Sequence, residues 1–138
     1  MDCQFCRIVA GETPADIVLD EESVVGFLDS RPVFKGHVLL VPRAHIPSLV
    51  DVPDALLPTL FGAAQRLAAA VVEAYGCQGS FVAMNNVVSQ SVPHLHVHVV
   101  PRTKGDGLRG FFWPRTTYAD EADAAEHADR LRAVLEPR

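Results

Sequence analysis

The stretch SVPHLHVHVVPR, Ser91 to Arg102, constrains the fold more than any other part of this chain. Histidines at 94, 96 and 98 alternate with Leu95, Val97 and Val99, and a period of two belongs to a β-strand rather than a helix. Side chains two apart on a strand share a face, so the imidazoles form one row about 6.5–7 Å apart while the aliphatic residues face the core. A strand is expected from His94 to Val100. Three of the chain's six histidines stand in that row, and three readings compete for them. The plainest is a half-buried strand whose outer side happens to be histidine. The second is a metal site, because imidazole is the commonest transition-metal ligand. The third is nucleophilic catalysis, with one ring nitrogen attacking while its neighbours orient it and stabilise charge. Ser91 favours the third: it lies five residues before His96 with a hydroxyl able to give a leaving group its proton.

The remaining periodicity places other elements around this strand. Cys3 to Ala10 reads as a short helix ended by Gly11. Ile17 to Leu19 and Val24 to Asp29 read as short strands flanking an acidic turn, and His37 to Pro42 as a strong one. Apolar residues recur at three and four positions from about Asp54 to Tyr75, an amphipathic helix closed by Gly76, with Pro58 comfortable only in its first turn. Ser80 to Asn85 alternates again, Val87 to Gln90 is a loop, and Ala119 to Leu135 reads as a C-terminal helix. Adjacent strands with few crossover helices imply an α+β domain, a mainly antiparallel sheet of about five strands with helices on one side.

At 138 residues the chain is expected to be one domain, with residues 3–102 as its core and residues 103–138 as a terminal loop and helix. No apolar run, Leu67 to Val72 included, is long enough to span a bilayer, and the first residues do not read as a secretory signal. A net charge of −5 argues against coating a nucleic-acid polymer but not against a small nucleotide. Three cysteines, an odd number, fit a reduced, cytoplasmic setting.

The run His-Leu-His-Val-His-Val-Val, with Ser91 before it and Pro101-Arg102 after it, resembles the signature of the histidine-triad (HIT) family of nucleotide hydrolases and transferases. Phe27 to His45, FLDSRPVFKGHVLLVPRAH, resembles that family's N-terminal half, and the likeness extends over roughly Cys3 to Arg102. It implies a HIT-like fold and cleavage of nucleoside 5′-phosphate derivatives through a nucleotidyl-histidine. By resemblance, His96 is the nucleophile, His98 bonds the phosphate and Ser91 assists the leaving group. Asn85, or Asn86 in its place, stands near the scissile bond; Asp29 accepts from the ribose hydroxyls; Phe5, Ile8 and Phe27 wall the base, expected to be a purine. Taken singly, Ile8 and Phe27 read as core and Asp29 as a turn acid. The loop NNVVSQS departs from the family pattern, being two residues short and without glycine. Ser91 leans toward Hint-like phosphoramidates, Pro101-Arg102 toward Fhit-like dinucleoside polyphosphates.

Cys3-x-x-Cys6 reads by itself as a redox pair, a metal half-site or chance. The resemblance to zinc-bearing HIT members completes a ligand set with His45 and His94, and four N/S ligands make a closed, structural zinc site. No catalytic metal is expected, and Cys77 reads as a small buried residue. The segment Pro101 to Arg115, PRTKGDGLRGFFWPR, is basic, and Arg102 and Arg109 are candidates for a cationic rim around a polyphosphate, against a plain solvated loop. The long helix and the resemblance together imply a homodimer. Two other readings stay open: a non-catalytic nucleotide- or partner-binding module, and a metal-dependent hydrolase with the triad as ligands.

Overall fold

A computed structural model describes residues 2–108 and 114–135, which fall in two compact units, Met1–Asp106 and Gly107–Arg138. The first unit contains α1 (Gln4–Val9), β1 (Ile17–Asp20), β2 (Val24–Leu28), β3 (Val38–Pro42), α2 (Leu57–Tyr75), β4 (Gly79–Ala83) and β5 (Val97–Arg102). The strands form one antiparallel sheet in the order β1-β2-β3-β5-β4. The second unit holds α3 (Glu121–Leu135). Two side chains cap its start: Asp120 Oδ1 accepts the Asp123 N–H at 2.8 Å, and Asp123 Oδ2 accepts the Ala119 N–H.

The central strands are apolar on both faces, VVGFL in β2 and VLLVP in β3, and every residue of β3 is buried. A two-sided apolar sheet needs two covers. α2 covers one side, where Leu60, Ala63, Ala64, Leu67 and Val71 pack on Val24, Val38, Leu40, Leu95, Val97 and Val99. α1 covers the other, with Cys3 and Phe5 on Val25, Phe27, Leu39 and Val41. The expectation of helices on one side only is therefore corrected. The histidine row lies on the α1 side and is not a solvent face: His94 is fully buried and His96 is 4% exposed.

Two details depart from the alternation. The regular ladder of β5 begins at Val97, not at His94, because the Leu95 N–H is taken by the Ile46 carbonyl at 2.7 Å in the segment after β3. α2 starts at Leu57 after a 3₁₀ turn over Asp54–Leu56, which leaves Pro58 in the first turn where its missing N–H costs nothing. With that turn the helix reaches 22 residues, with a stretch of 18 at a mean hydropathy of 1.5, enough by length and composition to cross a membrane, yet it lies on the sheet as a core helix. Gly76, left-handed at φ 60°, closes it. Gly36, at φ +96°, turns the chain into β3 where a Cβ would collide with the Tyr75 ring.

The glycine-free loop before Ser91 is held by side chains. Asn86 Oδ1 accepts the Leu49 N–H at 2.8 Å, Gln90 Nε2 donates to the Pro47 carbonyl at 2.6 Å, and Gln90 Oε1 takes the Val87 N–H at 3.0 Å. In this setting Val87 (φ 70°) and Ser89 (φ 62°) adopt the left-handed conformation, which is costly for a β-branched residue. Val87 is 77% exposed, so little burial offsets that cost. Val87→Gly is expected to raise stability by about 0.5–1 kcal/mol, read as a higher urea midpoint at unchanged slope.

Candidate functional site

Antiparallel register sets the site. Phe27 pairs with Leu39, and Leu39 with His98, so these three side chains stand in one row across β2, β3 and β5 on the α1 side. Above the row lies a cleft of about 780 Å³ lined by Phe5 and Ile8 of α1, Phe27, Asp29, Ser91, His96 and His98 among others. The volume suits a nucleotide-sized ligand. Seven of the eight nucleotide-site candidates thus share one cavity. Asn85 is not among the lining residues: it is exposed, and its amide donates to the Ser89 carbonyl at 3.3 Å. Asn86 is committed to Leu49, so the substitute considered for Asn85 is engaged elsewhere.

The hydrogen bonds assign a tautomer to each triad ring. His94 Nε2 donates to the Pro42 carbonyl at 2.8 Å, which leaves Nδ1 with its lone pair toward the cysteines. His96 Nδ1 donates to the His94 carbonyl at 2.8 Å, which leaves Nε2 unprotonated in a residue lining the cleft. His98 Nδ1 lies 2.9 Å from His37 Nε2. Since His37 Nδ1 accepts the Val33 N–H at 3.1 Å, its Nε2 carries the proton and donates to His98, so His98 presents Nε2–H. A free lone pair on His96 thus sits beside a donor on His98, the rings 5.1 Å apart. Phe5 packs edge-on against His96 at 5.0 Å and against Phe27 at 5.4 Å.

Sequence reasoning missed His37, which it read only as the start of a strand. Its signal was a histidine opening a strand after a Gly turn, facing the row that carries His98. Burial lowers its pKa, opposed by Asp29, whose Oδ2 lies 3.7 Å from Nδ1. With Nδ1 already accepting from Val33, that approach is not an ion pair. Burial, with His96 and His37 adding to it and Asp29 opposing, pushes the His98 pKa down to about 4. His98 is therefore neutral at physiological pH. In the unfolded chain it titrates near 6.5, so between about pH 6.5 and 4 the unfolded state binds the extra proton. This contribution to stability is complete above pH 6.5 and is lost as the pH falls through that window. His98→Asn should flatten this acid limb in chemical unfolding measured from pH 7 to 4.

Asp29 follows β2 with its N–H on the His37 carbonyl at 2.9 Å, and its Oδ1 accepts the Arg31 N–H at 2.9 Å, which orients the carboxylate in the cleft wall. Arg102 is placed otherwise than the rim expectation requires. Its guanidinium forms a two-point pair with Asp106 at 2.7 and 3.1 Å, and it does not line the cleft. Arg109 and the aromatic cluster after it lie outside the described residues.

On the far side of His94, four donors converge: Cys3 Sγ, Cys6 Sγ, His45 Nδ1 and His94 Nδ1 lie within 4.8 Å of one another. The sulfur–nitrogen distances are 3.3 Å (Cys6–His45) and 3.5 Å (Cys3–His94 and Cys6–His94). A tetrahedron with Zn–S of about 2.3 Å and Zn–N of about 2.0 Å has sulfur–nitrogen edges of about 3.5 Å, so these residues fit zinc. The triad is thereby divided: His94 faces the thiols, while His96 and His98 face the cleft. That division removes the reading in which all three histidines share one catalytic metal. Cys77 is half-buried rather than buried, its thiol facing the Val71 and Gly79 carbonyls.

A histidine pair lining a cleft, backed by a Cys₂His₂ cluster on an antiparallel sheet, defines a small α+β domain of the histidine-triad class. Comparison with known proteins agrees. The HIT domain family matches residues 10–105, and the chain belongs to that family. It is 38% identical to Protein hit of Bacillus subtilis over 87% of this chain and 83% of that protein. It is 34% identical to Adenosine 5'-monophosphoramidase HNT1 of Saccharomyces cerevisiae over 81% of this chain and 70% of that one. It is 30% identical to Adenylylsulfatase HINT3 of Arabidopsis thaliana over 78% of this chain and 55% of that one. Among solved structures, a HIT family member from Bacillus subtilis superposes with TM-score 0.90, 31% identity and complete coverage of both chains. A Zn-bound histidine triad family protein from Mycobacterium smegmatis matches with TM-score 0.74 and 34% identity, over 97% of this chain and 98% of that one.

Proposed function

We propose that this protein hydrolyses nucleoside 5′-phosphate derivatives, releasing a nucleoside monophosphate, with His96 as the nucleophile. One observation carries the reading: the bond from His96 Nδ1–H to the His94 carbonyl leaves Nε2 as the free nitrogen of a residue lining the cleft. Phe5, Ile8 and Phe27 hold the base, and the Asp29 carboxylate accepts from the ribose hydroxyls. His96 Nε2 attacks the α-phosphorus, forming an N–P bond as the bond to the leaving group breaks; the leaving group takes its proton from Ser91. His98 Nε2–H stabilises charge on the phosphoryl oxygens. Water then attacks phosphorus and returns a proton to Ser91, the N–P bond breaks with its electron pair going back to His96 Nε2, and the monophosphate departs. Zinc on Cys3, Cys6, His45 and His94 supplies structure, holding the strand segment that carries the nucleophile. Asn85 has no role here, since it is outside the cleft lining.

The pairing of Arg102 with Asp106 removes one cation from the proposed polyphosphate rim and favours compact leaving groups, such as an amine or sulfate, over a second nucleoside polyphosphate. The names of the yeast and Arabidopsis relatives support the same choice. The test is a panel of adenosine phosphoramidate, adenylyl sulfate and diadenosine tri- and tetraphosphate, assayed with and without brief EDTA treatment. Fastest turnover on the compact substrates, insensitive to EDTA, supports the reading. Tight nucleotide binding with no turnover on any member would replace it with a binding module.

We also read the protein as a homodimer. Phe61 and Tyr75 on α2 are 45% and 53% exposed, and Val82 on the edge strand β4 is 43% exposed, an apolar surface that a second copy would cover. Sedimentation at micromolar concentration should give twice the chain mass of 15.0 kDa, and a monomer mass would refute this.

A further inference from the structure

We infer that Cys3 and Cys6 form a reversible oxidation site whose closure into a disulfide releases the metal and disarms His96. The inference rests on the proposed zinc and nucleophile assignments and goes beyond them by giving the thiols a regulatory chemistry.

The two sulfurs are already neighbours. Cys3 is the N-cap of α1 and its Sγ accepts the Cys6 N–H at 3.5 Å, which places both thiols on the first turn of one helix, within 4.8 Å of each other. A disulfide needs Cβ atoms about 3.5–4.5 Å apart, so closing one here draws the extended N-cap residue Cys3 in against the first turn that carries Cys6. An oxidant has a path. Cys6 is part-exposed, and Cys3 lines a second cleft of about 240 Å³ together with His45, Ser91, Val92 and Pro93, room for a molecule the size of hydrogen peroxide.

The consequence travels by two short routes to the same ring. His94 shares Nδ1 with the thiol cluster and gives its carbonyl to His96 Nδ1–H at 2.8 Å. Phe5, between the two cysteines in sequence, packs on His96 at 5.0 Å and also walls the cleft. A contraction that draws Cys3 and Cys6 together loosens His94 and shifts Phe5 at once. Cys77, between the Val71 and Gly79 carbonyls, is no part of this arrangement. The chemistry balances: two zinc-bound thiolates, one hydrogen peroxide and two protons give one disulfide, two waters and one zinc ion.

The test titrates zinc-loaded protein with hydrogen peroxide, following zinc by a chromophoric chelator, free thiols by count, and the disulfide by intact mass and peptide mapping. In parallel, ¹⁵N spectra of histidine-labelled protein report the His96 tautomer, a readout that needs no turnover. The expected result is one zinc released as two thiols disappear, a Cys3–Cys6 disulfide, loss of the His96 Nδ1–H signature and at least a tenfold fall in turnover. Reductant with added zinc should restore all four. Cys77→Ser should behave as wild type. Retention of zinc and thiols under excess peroxide would overturn the inference, as would release of zinc with the His96 signature unchanged. If no substrate of the panel is turned over, the zinc, thiol and tautomer readouts still decide, so failure of the proposed reaction is separable from failure of this one.

Discussion

Replacing His96 by alanine is expected to lower turnover of the best panel substrate by about a thousandfold or more while leaving nucleoside monophosphate affinity within a few-fold. The expectation follows from how the ring is held. Its Nδ1–H is fixed on the His94 carbonyl, so the ring's whole contribution to chemistry passes through Nε2, and alanine offers no substitute. In the proposed reading the base and ribose contacts come from other residues, Phe5, Ile8, Phe27 and Asp29, which line the same cleft and which the substitution leaves in place. Rate loss with retained binding marks a group that acts in the transition state. A matched loss of affinity and rate would instead assign His96 to binding. The ring is 4% exposed and packs on Phe5, so alanine also opens space in the wall; His96→Gln keeps most of the volume and should show the same rate loss.

Removing the metal should have the second large effect, on stability. Stripping zinc with a strong chelator, or substituting Cys3→Ser, is expected to lower the thermal midpoint by about 10 °C or more. Four donors from three separate segments meet there: Cys3 and Cys6 on α1, His45 after β3, and His94 before β5. Without a metal, the cluster leaves a fully buried imidazole among thiols, and among the described residues α1 meets the sheet through apolar packing of Cys3, Phe5, Cys6, Ile8 and Val9. Metal analysis of freshly purified, untagged protein should give one zinc per chain, and scanning calorimetry before and after chelation reads the shift. Absence of stoichiometric zinc together with an unchanged midpoint for Cys3→Ser would refute the zinc assignment.

Much of this was legible because period-two alternation is a strong signal where strands are apolar on both faces. Val24–Leu28 and Val38–Pro42 emerged within a residue of their expected bounds, and α2 announced itself by its three-and-four spacing and Gly76. The residues around the cleft were legible instead through the resemblance to the family; taken singly, Ile8 and Phe27 read as core, and it is register that carries Phe27, Leu39 and His98 into one row. What was not legible depends on partners distant in sequence. Nothing local in His94–His96 says that the Leu95 N–H is claimed by Ile46, which delays the ladder to Val97. His37 looked like a strand residue because its role is defined by His98, 61 positions away. Arg102 looked like a free cation because its partner, Asp106, becomes a neighbour only when the chain turns after β5. The short helix was read at Cys3 to Ala10, but helices were expected on one side of the sheet only, because six residues carry little signal about which face they cover.

The central claim, that His96 itself becomes nucleotidylated, has a direct measurement. The protein is mixed with excess adenosine phosphoramidate, quenched under alkaline conditions within milliseconds, digested and mapped by mass spectrometry, with His96→Gln run beside it. The account predicts an adenylyl group on the peptide carrying His94 to His98, assigned to His96 by fragmentation and absent from the variant. Burst release of the amine without any adduct, or an adduct on a residue other than His96, would contradict it.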